Sequence, residues 1–137
     1  LDGDGLRDYR ILVGGVQARL EAGGRPLVFG GDLISNGEDY TATDPLPFTA
    51  ANAGQTQGHV LSARYGSIRS RGDWLAAYCY ANIEALAVVA SYAQDDWVRW
   101  GSGPQTRGSG FRGHEFRFAY AWGSGLDVVA RLYVAES

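Results

Sequence analysis

The chain has 137 residues, 45% of them hydrophobic, and a formal net charge of −3; this is enough for one domain with its own core, without the charge excess of a polyion binder. No run of about 18 apolar residues occurs, which excludes a transmembrane helix, and the opening LDGDGLRDY lacks the apolar region of a signal peptide. Twenty glycines, eight tyrosines and four tryptophans, with no methionine, point to an all-β chain rich in turns.

Period-2 alternation of apolar and polar residues marks six segments. The first, about Tyr9 to Glu21, sets Leu12, Val16, Ala18 and Leu20 against Gln17, Arg19 and Glu21. The second, about Pro26 to Asn36, sets Leu27, Phe29 and Leu33 against Asp32 and Asn36. The third, about Gln57 to Ile68, sets Leu61, Ala63 and Tyr65 against Ser62 and Arg64. The fourth, about Asp73 to Ala90, puts Leu75, Ala77, Cys79, Ala81 and Ile83 on one face, and Tyr78, Tyr80, Asn82 and Glu84 on the other. It loses its alternation over residues 85–89, where a helix across residues 83–93 competes with a strand. The last two lie within 111–137: Phe116, Phe118, Tyr120 and Trp122 alternate with Glu115 and Arg117, then Leu126, Val128, Ala130, Leu132 and Val134 alternate with Asp127, Arg131 and Tyr133.

The connections follow a rhythm. Segments one and two, three and four, and five and six are joined by the short hairpin sequences AGGR, SIRSRG and GSG. Long loops at about 37–56 and 93–111 separate the pairs. Long unstructured loops are uncommon in compact soluble domains. Strict short–long alternation is the habit of a transmembrane β-barrel, with short periplasmic turns, long outer loops and strands of about 9–11 residues. The expected fold is therefore an antiparallel up-and-down transmembrane β-barrel, one segment over 1–137 with no separate domains. In hydrocarbon every backbone polar group must be paired, so a barrel turns its apolar face to lipid and its polar face to the lumen. That assigns Leu12, Phe29, Phe116, Phe118, Tyr120, Trp122 and Leu132 to lipid. It assigns Arg19, Glu21, Asp32, Arg64, Glu84, Glu115, Arg117 and Arg131 to the lumen wall. A soluble sheet with one face on a core and the other in water explains the alternation of any single strand equally well.

No motif for chemistry emerges. Cys79 has no cysteine partner, and the two histidines, His59 and His114, are too few for a metal site. Asp2, Asp4 and Asp8 lack the later glutamate of an EF-hand loop and read as a solvated acidic stretch. No GxSxG nucleophile turn or phosphate-binding glycine loop is present. The acidic balance disfavours nucleic acid as a partner. The expectation is a non-enzyme without metal or cofactor.

Several stretches resemble a bacterial porin family of outer-membrane proteins. They are GlyGlyAspLeuIleSerAsn (30–36), GlyAspTrp (72–74) followed by TyrCysTyrAlaAsnIleGluAla, AlaValVal (87–89), AspAsp (95–96), and the closing GlyPheArgGlyHisGluPhe with AlaArgLeuTyr. The resemblance spans most of the chain and implies a β-barrel in the bacterial outer membrane that admits small solutes by passive diffusion. Leu86 stands where the family pattern has an acidic residue, and family members are longer and end on an aromatic residue, where this chain reads ValAlaGluSer. Six strands are also fewer than the usual eight. The expectation is the C-terminal portion of a longer porin, or one piece of a barrel completed by other chains. The partners are then membrane lipid, small solutes, and either further copies or further barrel-forming segments. The rival functions are a soluble β-barrel or sandwich that binds an apolar ligand, and a barrel that serves as scaffold for partner chains.

Overall fold

The computed structural model describes residues 8–89, 110–123 and 125–136. Their fold is all-β. Six strands, β1 (Ile11–Ala22), β2 (Arg25–Asn36), β3 (Gln57–Gly66), β4 (Trp74–Ile83), β5 (Phe111–Gly123) and β6 (Leu126–Glu136), form one antiparallel sheet in sequence order. Every neighbour in the sheet is a neighbour in sequence, as expected for a meander of hairpins. The sheet is not closed: among the described residues β1 and β6 each pair along one edge only.

Turn chemistry sets the register. Ala22 pairs with Arg25 across Gly23 (φ 57°) and Gly24 (φ 71°). A two-residue hairpin with both central φ angles positive is the type I′ turn, which glycine adopts without strain. The β3–β4 connection is longer and held by Asp73, whose Oδ2 accepts hydrogen bonds from the backbone N–H groups of Arg69 (3.1 Å) and Ser70 (2.9 Å). The same turn pairs with β5: Gly72 N donates to Ala121 O (2.8 Å), and Ala121 N donates to Asp73 O (2.9 Å). A register shift between Ala121 and Gly123 loosens β5 just before its own turn.

At the opposite end of the sheet the chain leaves the strand pattern. The fourth segment ends at Ile83, short of the expected Ala90, and residues 84–89 form neither strand nor helix. Leu86 and Ala87 are fully buried there, and Ala87 packs with Ala81 and Ile83 beside Ile34, Val60, Val88 and Phe111. Burying a leucine side chain stabilises by about 1.5–3 kcal/mol. That gain explains why an apolar run without alternation packs onto the sheet instead of extending it. Within the first long loop, Pro47–Ala51 form a short helix, α1. Most of the expected loop 93–111 lies outside the described residues, as do Asp2 and Asp4.

Candidate functional site

The register resolves the sheet into two chemically opposite faces. Residues directly paired across strands share a face, and side chains alternate along each strand. One face carries Leu12, Val16, Ala18 and Leu20 of β1, Leu27, Phe29 and Leu33 of β2, and Leu61, Ala63 and Tyr65 of β3. It continues through Trp74, Ala76, Tyr78 and Tyr80 of β4, Phe116, Phe118, Tyr120 and Trp122 of β5, and Leu126, Val128, Ala130, Leu132 and Val134 of β6. Its only Asp, Glu, Lys or Arg residues are Arg25, Arg112 and Glu136, all at strand ends. All seven residues assigned to lipid from the sequence, Leu12, Phe29, Phe116, Phe118, Tyr120, Trp122 and Leu132, fall on this face.

Burial runs opposite to that of an ordinary sheet core. Buried apolar residues within the strands are mostly small, with Ala81, Ala119 and Ala121 among them. Large ones on the apolar face stand out from the sheet, with Leu12 74%, Leu33 71% and Trp122 64% exposed. Contiguous exposed apolar surface of this kind is a mark of membrane, partner or ligand contact in general.

Aromatic and polar groups frame this face at both ends. Near the short turns, Tyr65 and Trp74 meet edge to face at 5.5 Å, Trp74 stacks on Phe118 at 6.3 Å, and Tyr120 meets Trp122 at 6.1 Å. The Arg25 guanidinium lies over Trp74 at 4.8 Å, and the Tyr65 hydroxyl donates to Ala22 O (3.0 Å). Toward the long-loop end, Tyr80 sits between His59 (5.7 Å) and His114 (5.0 Å), and the Tyr78 hydroxyl is hydrogen-bonded to His114 Nδ1 (2.8 Å). These contacts use both histidines as ring partners. Arg112 and Glu136 close the rim with an ion pair of 2.6 Å across β5 and β6.

The opposite face holds the charges. Seven of the eight residues assigned to the lumen share it: Arg19, Glu21, Asp32, Arg64, Glu115, Arg117 and Arg131. Gln17, Ser62, Cys79, Asp127 and Tyr133 accompany them. Glu84 does not line this face, and the faces of β4 are the reverse of those expected. Leu75, Ala77, Cys79, Ala81 and Ile83 lie with the charges, while Tyr78, Tyr80 and Asn82 lie on the apolar face. The tyrosine rings pack with Leu61, Ala63 and Phe116, and the small residues sit among the arginines. β4 stops one residue before Glu84, whose carboxylate accepts the backbone N–H of Gln57 (2.8 Å) while its own N–H donates to Gln57 O (3.0 Å). It fastens the end of the β3–β4 pair.

Register adds what alternation along single strands cannot. Following the pairing from strand to strand, Arg19, Val28, Arg64, Ala77, Arg117 and Arg131 form one continuous row across all six strands. Four of these six positions are arginine. The acids sit in other rows: Glu21 and Asp127 toward the short turns, Glu115 and Asp32 toward the long loops. Glu115 reaches Arg131 at 3.9 Å, and Glu21 reaches Arg19 at 4.0 Å. Glycines make room for the polar side chains. A Cβ on Gly15 would lie 2.2 Å from Asp32 Oδ1, and one on Gly30 would lie 2.6 Å from Ser62 Oγ.

Asn36, at the end of β2, ties the inward segment to this face. It is 3% exposed and uses its whole hydrogen-bonding capacity. Its Nδ2 donates to Leu86 O (2.8 Å) and to the Tyr40 hydroxyl (3.0 Å), while its Oδ1 accepts from Arg10 N (2.9 Å) and Glu38 N (3.2 Å). Leu86 N also donates to Gln55 O (2.8 Å). The sequence places Asn36 on the polar face, but nothing in it singles out this role. Among the described residues, no group of three or more His, Cys, Asp or Glu side chains converges as metal ligands would. No family model, curated protein or solved structure matches the chain.

Proposed function

We propose that the chain forms wall strands of an outer-membrane β-barrel pore through which small hydrophilic solutes diffuse passively. The observation that carries this reading is the division of charge. On all six strands the apolar face has three Asp, Glu, Lys or Arg residues, all at strand ends, while the other face has eight, six of them away from the ends. Lipid accounts for large aliphatic side chains standing out from a sheet, and an aqueous lumen accounts for the charges behind them.

The dimensions agree. From Arg112 to Trp122 along β5 the strand rise gives about 34 Å, which a tilt of about 40° projects to roughly 26 Å. The apolar band of an outer-membrane barrel is about 25 Å tall and bounded by aromatic girdles. Tyr65, Trp74, Tyr120 and Trp122 would form the girdle at the short turns, with His59, Tyr80 and His114 at the other rim. Further strands, from another chain or another segment, would pair with β1 and β6 to close the barrel.

Such a pore makes and breaks no bonds. It sorts solutes by size and by the field of its wall, with residues 84–89 narrowing the polar side at the long-loop end. Planar-bilayer conductance of the full-length protein tests the proposal. Stable ion channels are expected. A protein that purifies without detergent and forms no channels would instead favour a soluble β-module binding an apolar ligand on Phe116, Phe118, Tyr120 and Trp122.

A further inference from the structure

The row of arginines has a consequence beyond a charged lumen. The strand residues of the polar face carry four arginines against four acids, Glu21, Asp32, Glu115 and Asp127, so their formal charge balances. Its distribution does not. The arginines are concentrated in one row, and the acids are spread above and below it. Two of the arginines have an acid close by, Glu115 for Arg131 and Glu21 for Arg19.

Arg64 and Arg117 have no such neighbour: neither has an ion pair among the described residues. Arg117 also keeps its Nε buried without a hydrogen-bond partner. Its guanidinium is therefore incompletely paired within the protein, and an anion reaching its terminal N–H groups would offset the charge that no neighbouring acid among the described residues offsets. The two residues lie on β3 and β5 on either side of Ala77, roughly 10 Å apart at the normal strand spacing. Ala77 contributes only a methyl group between them. On the far side of Arg117, Arg131 is its direct cross-strand partner. Like charges directly opposite each other repel, and an anion held between them relieves that repulsion.

We infer that Arg64, Arg117 and Arg131 form a transverse site for small oxyanions, and that the pore passes anions in preference to cations. The inference rests on the pore reading and adds its solute class. Planar guanidinium groups present paired N–H donors to phosphate or carboxylate oxygens, and several of them in one row give a passing oxyanion successive partners. The proposal takes inorganic phosphate as the probe.

The test uses the full-length protein in planar bilayers. Reversal potentials in a KCl gradient are expected to give a chloride-to-potassium permeability ratio above one. A unit charge about 10 Å from the ion path in water changes ion occupancy by roughly twofold. Removing one such charge lowers chloride occupancy and raises potassium occupancy, so Arg64→Gln and Arg117→Gln should each lower the ratio about fourfold, with open-channel conductance retained. Arg25→Gln, at the rim of the apolar face, should leave the ratio alone. Millimolar phosphate should reduce the chloride current of the wild type and spare that of the double variant. If Arg117→Gln does not insert, the exposed Arg64 carries the test. Normal channels that prefer potassium, or a ratio indifferent to both substitutions, overturn the anion site and leave the pore standing. The absence of channels overturns both.

Discussion

Replacing Asn36 by alanine tests how residues 84–89 are held against the polar face. The substitution removes all four side-chain hydrogen bonds at a site that is 3% exposed. The bond to Leu86 O is buried, and leaving that carbonyl unpaired costs about 1–3 kcal/mol. The bonds from Arg10 N and Glu38 N are partly buried, and each contributes about 0.5–1 kcal/mol. The expected loss is about 3 kcal/mol, read from the urea dependence of tryptophan fluorescence in detergent or vesicles. A second readout locates the loss. In a Cys79→Ser background, Leu86→Cys should react slowly with a water-soluble maleimide, because Leu86 is fully buried. Adding Asn36→Ala should raise that rate severalfold. A stability change below about 0.5 kcal/mol together with an unchanged labelling rate would refute Asn36 as the anchor.

Other substitutions probe the turns and the apolar face. Leu61→Arg puts a charge on the apolar face in mid-strand and should cost about 2–4 kcal/mol for folding into vesicles, measured by urea titration; an insensitive site would argue against lipid there. Gly66 has φ +87°, and a Cβ would lie 2.3 Å from the Trp74 carbonyl oxygen, so Gly66→Ala should destabilise the β3–β4 hairpin by about 2 kcal/mol or more in the same titration. The Asp73 carboxylate is held below its ordinary pKa of 3.8 by the backbone N–H groups of Ser70 and Arg69, with smaller help from the charges of Arg25 and Arg69. Because the folded pKa is the lower one, its contribution is complete above the unfolded value and disappears as pH falls through the folded value. Urea midpoints should drop for the wild type below about pH 4, and less steeply for Asp73→Asn.

Much of this arrangement is legible in the sequence, for a physical reason. Alternation has period two, so each strand announces its existence, and six strands follow from residues such as Phe116, Arg117 and Phe118 in succession. The faces are announced too, except on β4, where small residues alternate with tyrosines and composition alone assigns the wrong face to lipid. Glycine pairs locate the tight turn at Gly23 and Gly24. Two features are less readable. The run at residues 85–89 continues the apolar character of β4 without its alternation. A strand, a helix and a buried irregular segment are alike in composition, and only packing against Ile34, Val60 and Phe111 decides among them. Glu84 is misplaced for a further reason: the even positions grouped with it in sequence, Tyr78, Tyr80 and Asn82, lie on the apolar face, so even a longer β4 would not carry Glu84 to the charged one.

The row of Arg19, Arg64, Arg117 and Arg131 is the second hidden feature. Single-strand patterns give the face of each arginine but not its height relative to the next strand. That height depends on turn length and on irregularities such as the shift between Ala121 and Gly123, and a one-residue slip would move an arginine to the other face. Charge balance summed over the chain conceals the same row.

The central claim is that lipid covers one face and water the other. Cysteine scanning of residues 115 to 118 on β5, in outer membranes carrying the full-length Cys79→Ser protein, tests it most directly. A membrane-impermeant, water-soluble thiol reagent should label positions 115 and 117 and spare 116 and 118, while a lipid-soluble quencher should reach 116 and 118 alone. Equal labelling at all four positions, or labelling of 116 and 118 with 115 and 117 protected, would contradict the assignment of the two faces.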